Sequence, residues 1–481
     1  MRHELLNYMK VVCDRCLGII ALISLVVLTA CSTKPHDEIL VDELPTIFPD
    51  YIDVTIPYNI APLNFLVRGF EDYVISFDID YDTDNDVEKW HNALCSRKDK
   101  DIIVTIKARR EDGQWLQFRD FPIHVVADTI DPILTYRLIE PGYEVFSHLQ
   151  IQERDITSFE TRNICDYKAV GNRCMNCHTF GQNRPDLSFM YVRGKNGGMI
   201  LNRNGFLRKL NLKTPKMTGG SVYAQFSPSG RYMVFSTNNI IPAFHAQPEK
   251  RLEVYDSTSD VYIVDLETYQ ISTSALLCDS TKMETFPCFT PDGKNIIYCK
   301  ADKSLKAEEM LYSLYKIGFD EETGILADKE ECIFEAKQGE KTSVCHPRVS
   351  PDGKNLLFTI ADYGTFPIWH RESDQVMLNL ETMRLETLDV VNSELSDTYH
   401  SWSSNSRWFV FASKRDDGLY GRPFICYIDK NGKAHKPFAL PQKNPRFYDN
   451  CLKSFNAPEL GKAPVNFSIK DVQEILKASI E

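Results

Sequence analysis

The sequence predicts an all-β protein in which an N-terminal β-sandwich precedes a β-propeller of five or six blades. Two observations predict this class. Short alternating apolar runs fill residues 49–135, and one phrase recurs four times in the C-terminal two-thirds of the 481-residue chain. The composition is that of a folded protein, with 43% hydrophobic and 25% charged residues. The net charge of −12 offers no basic surface for nucleic acid.

The N-terminus has the pattern of a signal peptide over residues 1–30. A weakly basic start is followed by an apolar run, Leu17–Leu28. A run of this length suits the apolar core of a signal peptide, whereas a membrane-spanning helix needs about 20 apolar residues. An ordinary secretory signal or a short anchor helix are the alternatives.

The run ends in Leu28-Thr29-Ala30-Cys31, which resembles the lipobox of bacterial lipoproteins. The resemblance implies cleavage before Cys31, lipidation of its thiol, and attachment to the membrane through that lipid. Ser32 in the next position implies the outer membrane, on either its periplasmic or its surface face. The polar stretch that completes residues 31–48 is predicted to be a tether.

Residues 49–135 carry the pattern of half-buried strands. Apolar and polar residues alternate in Tyr51–Ile56, Asp72–Ile79 and Asp101–Lys107, with turn-rich segments between them. Such runs predict antiparallel strands, most simply a sandwich, with one helical interruption at Asp86–Leu94. No catalytic set stands out here, so the domain is predicted to be a spacer or a binding module.

The C-terminal two-thirds contain an internal repeat. The repeated phrases are Ser221–Ser236, Thr285–Cys299, Ser343–Thr359 and Thr398–Ser413. Their shared Ser or Thr recurs after 63, 60 and 53 residues. Most copies contain Ser/Thr-Pro-x-Gly, which predicts a tight turn. A short apolar run follows and predicts a strand, and further predicted strands complete each unit. Three or four strands per unit describe a propeller blade.

The phrase resembles the TolB-type, WD-like propeller repeat, and the resemblance covers residues 188–460. Four blades are explicit, and a fifth is predicted where the chain ends join, from Leu187–Leu212 and Arg446–Pro458. The resemblance to TolB itself implies six. The fourth repeat departs from the pattern, because Ser404-Asn405-Ser406 replaces Pro-Asp-Gly. The tail, residues 461–481, is predicted to contain a short helix.

Residues 136–187 are predicted to be a linker that contains Cys174-Met175-Asn176-Cys177-His178. This Cys-x-x-Cys-His phrase resembles the c-type haem attachment motif. The resemblance implies one covalent haem c held by Cys174 and Cys177, with His178 as the proximal iron ligand. A secreted chain reaches the compartment in which such haem is attached.

Three alternatives to haem stay open. In the first, the two thiols would form a structural disulfide. In the second, they would join Cys165 and His148 in a zinc site of non-standard spacing. In the third, they would form a redox pair. No helical cytochrome domain fits, because strands resume at Leu187.

A distal iron ligand is not fixed by spacing. The candidates are Met190, His148 and His245, with Met199 and Met217 behind them, and a five-coordinate iron is also allowed. Each methionine alone suits a core position, and each histidine alone suits the surface.

A polar cluster is predicted at the propeller mouth. His346 and Tyr399 occupy equivalent repeat positions, His400 follows Tyr399, and His370 lies in a loop between strands of the third explicit repeat. Loop hydrogen bonding is favoured as the explanation for such residues over a metal or catalytic site.

Together these features predict a lipid-anchored envelope protein whose propeller binds a protein or glycan partner. The phrase around Cys174 also resembles propeller lipoproteins of the Bacteroidetes. A second hypothesis is an electron-transfer protein that uses the haem. A third hypothesis is an enzyme that acts through the propeller histidines, although a propeller implies no chemistry by itself.

Overall fold

The computed structural model describes residues 38–140, 148–194, 196–217, 219–247 and 250–478, without the side chains of Asn176 and of residues 244–247 and 250–252. An N-terminal mixed sheet is followed by six four-stranded antiparallel sheets, which form a six-bladed propeller. The predicted all-β class is confirmed, with six blades. The predicted signal peptide and Cys31 lie outside the described residues, as does the side chain of His245.

The N-terminal part is built on one mixed sheet. Its elements are β1 Glu38–Leu40, β2 Ile47–Phe48, β3 Thr55–Pro57, β4 Leu66–Val67, β5 Tyr73–Phe77, α1 Val87–Ser96, β6 Lys100–Arg109, β7 Trp115–Gln117 and β8 Phe121–Val126. The order is β1-β7-β6-β8-β3, with β5 also paired to β6 and β2 paired to β4 separately. The pairs β1/β7 and β3/β8 are parallel, so the sheet is not the purely antiparallel one that the alternation predicts.

Alternate residues of β6 and β8 are buried, as a half-buried sheet requires. Helix α1 contributes to the core on this buried side. It begins after Asp86, whose carboxylate accepts a hydrogen bond of 3.0 Å from the Lys89 amide. Trp90 of the helix is fully buried and donates from Nε1 to the Ile60 carbonyl at 3.0 Å. The helix thus takes the place of a second antiparallel layer.

The propeller strands follow in chain order. Blade I contains β9 Ile133–Ile139, β10 Gln150–Asp155 and β11 Thr161–Asp166; blade II contains β12 Met175–Gly181, β13 Arg184–Val192, β14 Gly198–Arg203 and β15 Phe206–Leu210; blade III contains β16 Ser221–Phe226, β17 Tyr232–Gln247, β18 Lys250–Asp265 and β19 Ile271–Ser272. Blade IV contains β20 Lys282–Phe289, β21 Asn295–Asp302, β22 Ser313–Asp320 and β23 Ile325–Phe334; blade V contains β24 Ser343–Val349, β25 Asn355–Ala361, β26 Asp374–Asn379 and β27 Leu385–Glu386; blade VI contains β28 Asp397–Trp402, β29 Trp408–Ser413, β30 Arg422–Tyr427 and β31 Phe438–Ala439. Single 3₁₀ turns cover Ala307–Glu309 and Pro367–Trp369, and α2 Phe447–Asn450, β32 Ser454–Gly461 and α3 Ile469–Lys477 complete the chain.

The C-terminal strand closes the ring. Strand β32 pairs with β9 and becomes the fourth, innermost strand of blade I. The innermost strands of neighbouring blades contact each other all the way round, from β32 through β12, β16, β20, β24 and β28 and back to β32. The prediction joined the chain ends differently, pairing Arg446–Pro458 with Leu187–Leu212. Residues 187–212 instead belong to blade II, which is complete without the C-terminal end.

The segment predicted as a linker, residues 136–187, is also different in the structure. It holds most of blade I and the first strand of blade II, so the Cys-x-x-Cys-His phrase is part of a blade. These strands escape repeat detection because blade I lacks the Ser/Thr-Pro-x-Gly phrase, its first strand being supplied from the other end of the chain.

The repeated phrase makes the turn between the first two strands of a blade. The hydroxyls of Ser227, Thr290 and Ser350 each accept a hydrogen bond from the backbone amide five residues later, at 3.0–3.1 Å. The glycine of each turn has a φ of 71–75°, which disfavours other residues. In the fourth repeat Ser406 adopts the same conformation, with a φ of 62°. The departure from the motif therefore leaves the turn in place.

The propeller channel has two mouths. First strands begin at one mouth, where the loops between the second and third strands of every blade also lie, and we call it the loop mouth. The Ser/Thr-Pro-x-Gly turns lie at the opposite end, the turn mouth. This follows from the antiparallel order of the four strands in each blade.

The N-terminal sheet packs on blade VI through a shared apolar core. Hydrogen bonds join the two parts: Trp408 Nε1 donates to the Asp128 carbonyl at 3.2 Å, and the Asp131 amide donates to Ser403 Oγ at 3.1 Å. The Ser403 hydroxyl, which belongs to the fourth repeat, thus accepts a bond from the N-terminal part.

Candidate functional site

Each innermost strand is interrupted by a β-bulge at the same position. In every blade one residue of this bulge has a positive φ, between 48° and 56°. These six residues, here called the bulge ring, are Cys177, Tyr223, Phe286, His346, Tyr399 and Ala457. A bulge of this kind leaves a residue out of the ladder and bends the strand. Four of these residues carry rings that contact one another, whereas Cys177 packs against the core between blades II and III.

Four members of the bulge ring stack in a row. Tyr223 and Phe286 have ring centroids 4.2 Å apart, Phe286 and His346 are 4.3 Å apart, and His346 and Tyr399 are also 4.3 Å apart. Aromatic rings at these separations are in van der Waals contact. Phe366, from the loop after β25, lies 6.0 Å from Phe286. The stack thus runs across the innermost strands of blades III to VI.

Two positions further along each innermost strand is a second ring. Its members, here called the polar ring, are Thr179, Gln225, Cys288, Arg348, Ser401 and Glu459. Gln225 Nε2 donates to Thr179 Oγ1 at 3.0 Å, and Thr179 Oγ1 donates to Glu459 Oε1 at 2.9 Å. The Leu460 amide donates to Ser401 Oγ at 3.0 Å. The polar ring is thus nearer the turn mouth than the aromatic stack.

Two members of the polar ring, Glu459 and Arg348, have ionisable side chains of opposite type. Burial raises the pKa of Glu459 to about 7, although the Phe180 amide, the Arg348 charge and the Thr179 hydroxyl all favour its ionised form. Arg348 is half-buried, and its Nη1 donates to the Pro347 carbonyl at 3.0 Å. Among the described residues, no carboxylate lies within 4.0 Å of its guanidinium.

The predicted mouth cluster is brought together only in part. His346 and Tyr399 are neighbours in the bulge ring, as their equivalent repeat positions predict. His400 lies next to them, and its Nε2 is 2.9 Å from the Leu357 carbonyl. Burial, helped by the charge of Arg348, lowers the pKa of His400 to about 3, so its imidazole is neutral.

His370 belongs to a different group. Its Nδ1 is 3.0 Å from Glu372 Oε1, and its Nε2 is 3.9 Å from Glu253 Oε1 on β18. Tyr363 also donates to Glu253. Burial opposes the ionisation of Glu372, but the bond to His370 lowers its pKa to about 2. These contacts fasten the long β17–β18 hairpin of blade III to the loop after β25 of blade V at the loop mouth.

The three haem-motif residues are parts of blade II. Cys174 packs against the apolar core between blades I and II, whereas Cys177 packs against the core between blades II and III. His178 is 9% exposed and lies against the backbone of Thr135 and Ala457. Burial, together with the charge of Arg137, lowers its pKa to about 4. The two thiols therefore face different cores, and the imidazole lies between blades.

These residues do not fit a haem in this conformation. Covalent attachment needs both thiols at the edge of one porphyrin and the imidazole above its iron. A haem here would require the start of β12 to leave its sheet. The described cysteines, Cys174 and Cys177 among them, are free thiols, so the alternative disulfide is not formed either. Haem attachment stays a prediction of the motif.

The candidate distal ligands are dispersed. Met190 is 3% exposed on β13 and packs in the same core as Cys174. His148 is two-thirds exposed, and its Nδ1 lies 3.4 Å from Glu140. The side chain of His245 is not described. Within the described ranges, no group of three or more His, Cys, Asp or Glu side chains is arranged to hold a metal ion.

Sequence reasoning missed the polar ring. An alignment of the four explicit repeats would have found four of its members. The position two residues after Tyr223, and its equivalents in the other repeats, hold Gln225, Cys288, Arg348 and Ser401. Thr179 and Glu459 could not be found in that way, because their strands lie outside those repeats. Glu459 joins this ring only when β32 pairs with β9 and brings the chain ends together.

Comparison with known proteins gives the fold alone. The sequence matches no protein-family model and no curated protein. A putative TolB from Agrobacterium tumefaciens is similar in structure, with 14% identity and a TM-score of 0.39, over 70% of this chain and 95% of that one. A putative 6-phosphogluconolactonase from Bacteroides fragilis has 12% identity and a TM-score of 0.34, over 65% and 96%. The tricorn protease has 12% identity and a TM-score of 0.35, over 77% of this chain and 36% of that one.

These similarities are distant, and they relate the chain to TolB-like and gluconolactonase propellers in architecture only. In the part of the chain that the structure describes, no helix is long and apolar enough to cross a membrane.

Proposed function

We propose that this chain is a lipid-anchored scaffold of the bacterial cell envelope, in which the loop mouth of the propeller binds a protein partner. The anchor rests on the lipobox resemblance at Cys31. The binding role rests on one observation, the exposed apolar side chains at the loop mouth. Glycan, the other partner class that the sequence leaves open, is disfavoured by the character of these side chains.

Three blades carry large exposed apolar residues at this mouth. Ile241 on the extended hairpin of blade III is 43% exposed, Leu305 in the loop of blade IV is fully exposed, and Leu419 in the loop of blade VI is 49% exposed. Single exposed apolar residues are ordinary, but several on one face are characteristic of protein-binding surfaces.

The hairpin that carries Ile241 is held in place from blade V. Glu253 accepts from Tyr363 and lies 3.9 Å from His370. Val254 beside it packs in the same core as Phe366. A surface fixed by such contacts loses little conformational entropy on binding, which favours affinity.

The test is affinity capture from envelope extracts, followed by reconstitution with the purified partner. The triple variant I241S/L305S/L419S is expected to lose at least tenfold in affinity. The double variant F206S/M383S changes exposed apolar residues at the turn mouth and is expected to bind normally. Equal binding by all three proteins, or no partner that binds after purification, would contradict the proposal.

The lipid anchor has a separate test. Metabolic labelling with a fatty acid is expected to mark the wild-type protein and to fail with C31S, which should then be released from the membrane fraction. Labelling of C31S at the wild-type level would overturn the anchor without touching the binding role.

The haem prediction is tested by a pyridine haemochrome spectrum of protein exported together with the haem attachment machinery. A c-type band that disappears in C174S/C177S would establish the haem and would require a different conformation of β12. The absence of the band from intact, exported protein would leave the scaffold without a redox role.

A further inference from the structure

Strand β5 leaves one edge of the N-terminal sheet without a partner strand. Among the described residues it pairs only with β6. The Asp78 amide donates to the Ile103 carbonyl on β6 at 3.0 Å, so the even-numbered residues of β5 bond to this neighbour. The main-chain groups of Tyr73, Ile75 and Phe77 therefore face the free edge. Within the described ranges, no other main-chain group bonds to them.

The side chains of this edge suit an added strand. Phe77 is buried, and Tyr73 and Ile75 are half-buried against the apolar core beneath the sheet. Val74 is 53% exposed on the other face, beside the exposed Ser76. A guest strand with the same alternation would extend the apolar face past Tyr73 and Ile75. Its main-chain bonds along the edge would supply affinity, as they do when peptides are bound by strand addition.

An open groove begins where β5 ends. Its walls are residues 78–80, directly after the strand, and residues of α1. Its volume is 670 Å³, within the range of about 300–1,000 Å³ that is usual for ligand pockets. The groove is accessible from solvent, since the side chain of Asp80 is 95% exposed. The free edge and the groove thus adjoin each other.

The groove is acidic. The charged residues that line it are Asp78, Asp80, Asp86, Glu88, Lys89 and Arg97, four carboxylates against two cations. Both cations are already paired, because Arg97 lies 3.0 Å from Asp78, and Lys89 lies 3.4 Å from Asp80 and 2.5 Å from Asp82. Glu88 is exposed, and no cation of the described chain lies within 4.0 Å of it. A Lys or Arg side chain of a guest would therefore meet negative charge that the chain does not balance.

The same charges disfavour a second copy of this chain as the guest. Antiparallel pairing of two β5 strands about Ile75 would set Asp72 of each copy opposite Asp78 of the other. Like charges directly opposite each other destabilise a strand pair. Charged side chains along an edge also protect it from pairing between copies. The acids that exclude a copy favour a basic guest.

We propose that the free edge of β5 and the acidic groove bind an extended segment of a protein partner, in which Lys or Arg precedes a run of alternating apolar residues. Antiparallel pairing is the more common kind. An antiparallel guest begins where β5 ends, so its basic residues enter the groove and its apolar residues lie opposite Phe77, Ile75 and Tyr73. This site is separate from the partner surface at the loop mouth and does not depend on it.

The probe is an acetylated peptide of sequence Arg-Lys-Val-Thr-Val-Thr-Val with a fluorophore at its C-terminus, titrated into the full-length protein by fluorescence anisotropy. It is expected to bind, whereas the peptide with two Glu in place of Arg and Lys is expected to bind at least tenfold more weakly. The absence of binding of the basic peptide at submillimolar concentration would overturn the proposal. Equal binding of the acidic peptide would overturn the role of the groove.

Methylated peptides test the addition of a strand. In the proposed register the Val amides of the peptide face β5 and the Thr amides face away. Methylation of the Val amides is expected to abolish binding, and methylation of the Thr amides is expected to preserve it. Equal binding of the two methylated peptides would overturn strand addition.

Variants locate the site. D80N/E88Q is expected to bind the basic peptide at least fivefold more weakly, and E381Q/E394Q, which changes two exposed acids of the propeller, is the matched control. I75P removes a main-chain donor that faces the free edge and is expected to abolish binding. Equal affinity of D80N/E88Q and its control, or unchanged binding by I75P, would overturn the site. If I75P does not fold, D80N/E88Q and the methylated peptides still decide.

Two measurements exclude the other occupants. The triple variant I241S/L305S/L419S is expected to bind the peptide normally, and loss of binding there would move the peptide to the loop mouth and overturn this site. In sedimentation velocity the wild type is expected to be monomeric. A dimer that D80N/E88Q strengthens would make a second copy the occupant and overturn the basic guest.

Discussion

Thr179 on β12 donates a hydrogen bond of 2.9 Å to Glu459 on β32, and this bond joins blade II to the strand that closes the ring. The Phe180 amide donates to the same oxygen at 2.9 Å. Two residues 280 positions apart in sequence therefore meet at the seam of the propeller. The seam thus contains an acid with a raised pKa, Glu459 of the polar ring, which couples closure of the fold to pH.

Replacing Glu459 with Gln is expected to stabilise the protein at alkaline pH. The folded pKa of about 7 lies above the usual value of 4.5, so the folded state binds more protons than the unfolded state between these values. Stability is therefore lost as pH rises from about 4.5 to 7. Glutamine keeps the acceptor for Thr179 and Phe180 and does not titrate. The gain at pH 8 is expected to be on the order of 1–3 kcal/mol.

Urea denaturation at pH 5 and pH 8 measures this effect. The gain of E459Q over the wild type is expected to be small at pH 5 and larger at pH 8. E381Q, at an exposed turn, is the control and should show no such trend. A gain of E459Q that is the same at both pH values would contradict the assignment.

Because β32 closes the propeller, truncating one core residue of this strand is expected to lower the free energy of unfolding of the whole propeller. Phe455 is 3% exposed, and its ring centroid lies 4.7 Å from that of Tyr136 on β9. F455A is expected to cost about 3–5 kcal/mol, as is usual for truncating a buried phenylalanine. F206A removes a ring that is 77% exposed and is expected to change stability by less than about 0.5 kcal/mol.

Denaturation midpoints compare the two variants. If β32 were a loosely attached tail, F455A would behave like F206A. That result would refute closure of the propeller by the C-terminal strand.

The sequence predicts best those parts of the fold that local chemistry determines. The Ser/Thr-Pro-x-Gly turns are visible because hydroxyl and glycine both act within five residues, as at Thr290 and Gly293. Blade I is invisible because β9 pairs with β32, more than 300 positions away. No local pattern records such a pairing. The parallel pairs of the N-terminal sheet are hidden for the same reason.

The residues of the candidate site also fall into those that the sequence could place and those that it could not. His346 and Tyr399 could be predicted as neighbours because they hold the same place in two repeats. His370 could not be placed, since its partner Glu253 is on a hairpin whose length no other blade shares. Cys174 and Cys177 are close in sequence, but Cys174 precedes β12 and Cys177 lies in its bulge, and their thiols pack against different cores. Spacing alone predicts a shared site that the backbone does not provide.

Buried histidines predict loss of stability in acid. His400 has a folded pKa of about 3, below the usual 6.5, so its contribution is complete above pH 6.5 and is lost as pH falls toward 3. H400Q keeps a donor for the Leu357 carbonyl and removes the titration. Its free energy of unfolding is expected to fall less steeply than that of the wild type between pH 6.5 and 4.

His124 supplies the opposite control. Burial lowers its pKa, but the bonds to Asp101 and Asp53 outweigh burial and raise it overall. Its contribution is therefore present below pH 6.5 and lost as pH rises through the folded pKa. H124Q should lose stability mainly in acid, so its pH dependence should change in the direction opposite to that of H400Q. The same slope for H400Q and the wild type would show that His400 is not held neutral.

In the turns of the repeated phrase, the cost of replacing glycine is expected to come from the backbone conformation alone. Gly353 in the turn of blade V has a φ of 75°, and a Cβ added there would meet no atom within 4 Å. G353A is therefore expected to cost about 1–2 kcal/mol from the left-handed conformation alone. G353N should cost less, because asparagine tolerates this conformation, as serine does at the equivalent Ser406. Urea denaturation midpoints measure these costs. Equal midpoints for G353A and the wild type would contradict the prediction and would mean that the turn relaxes to a negative φ.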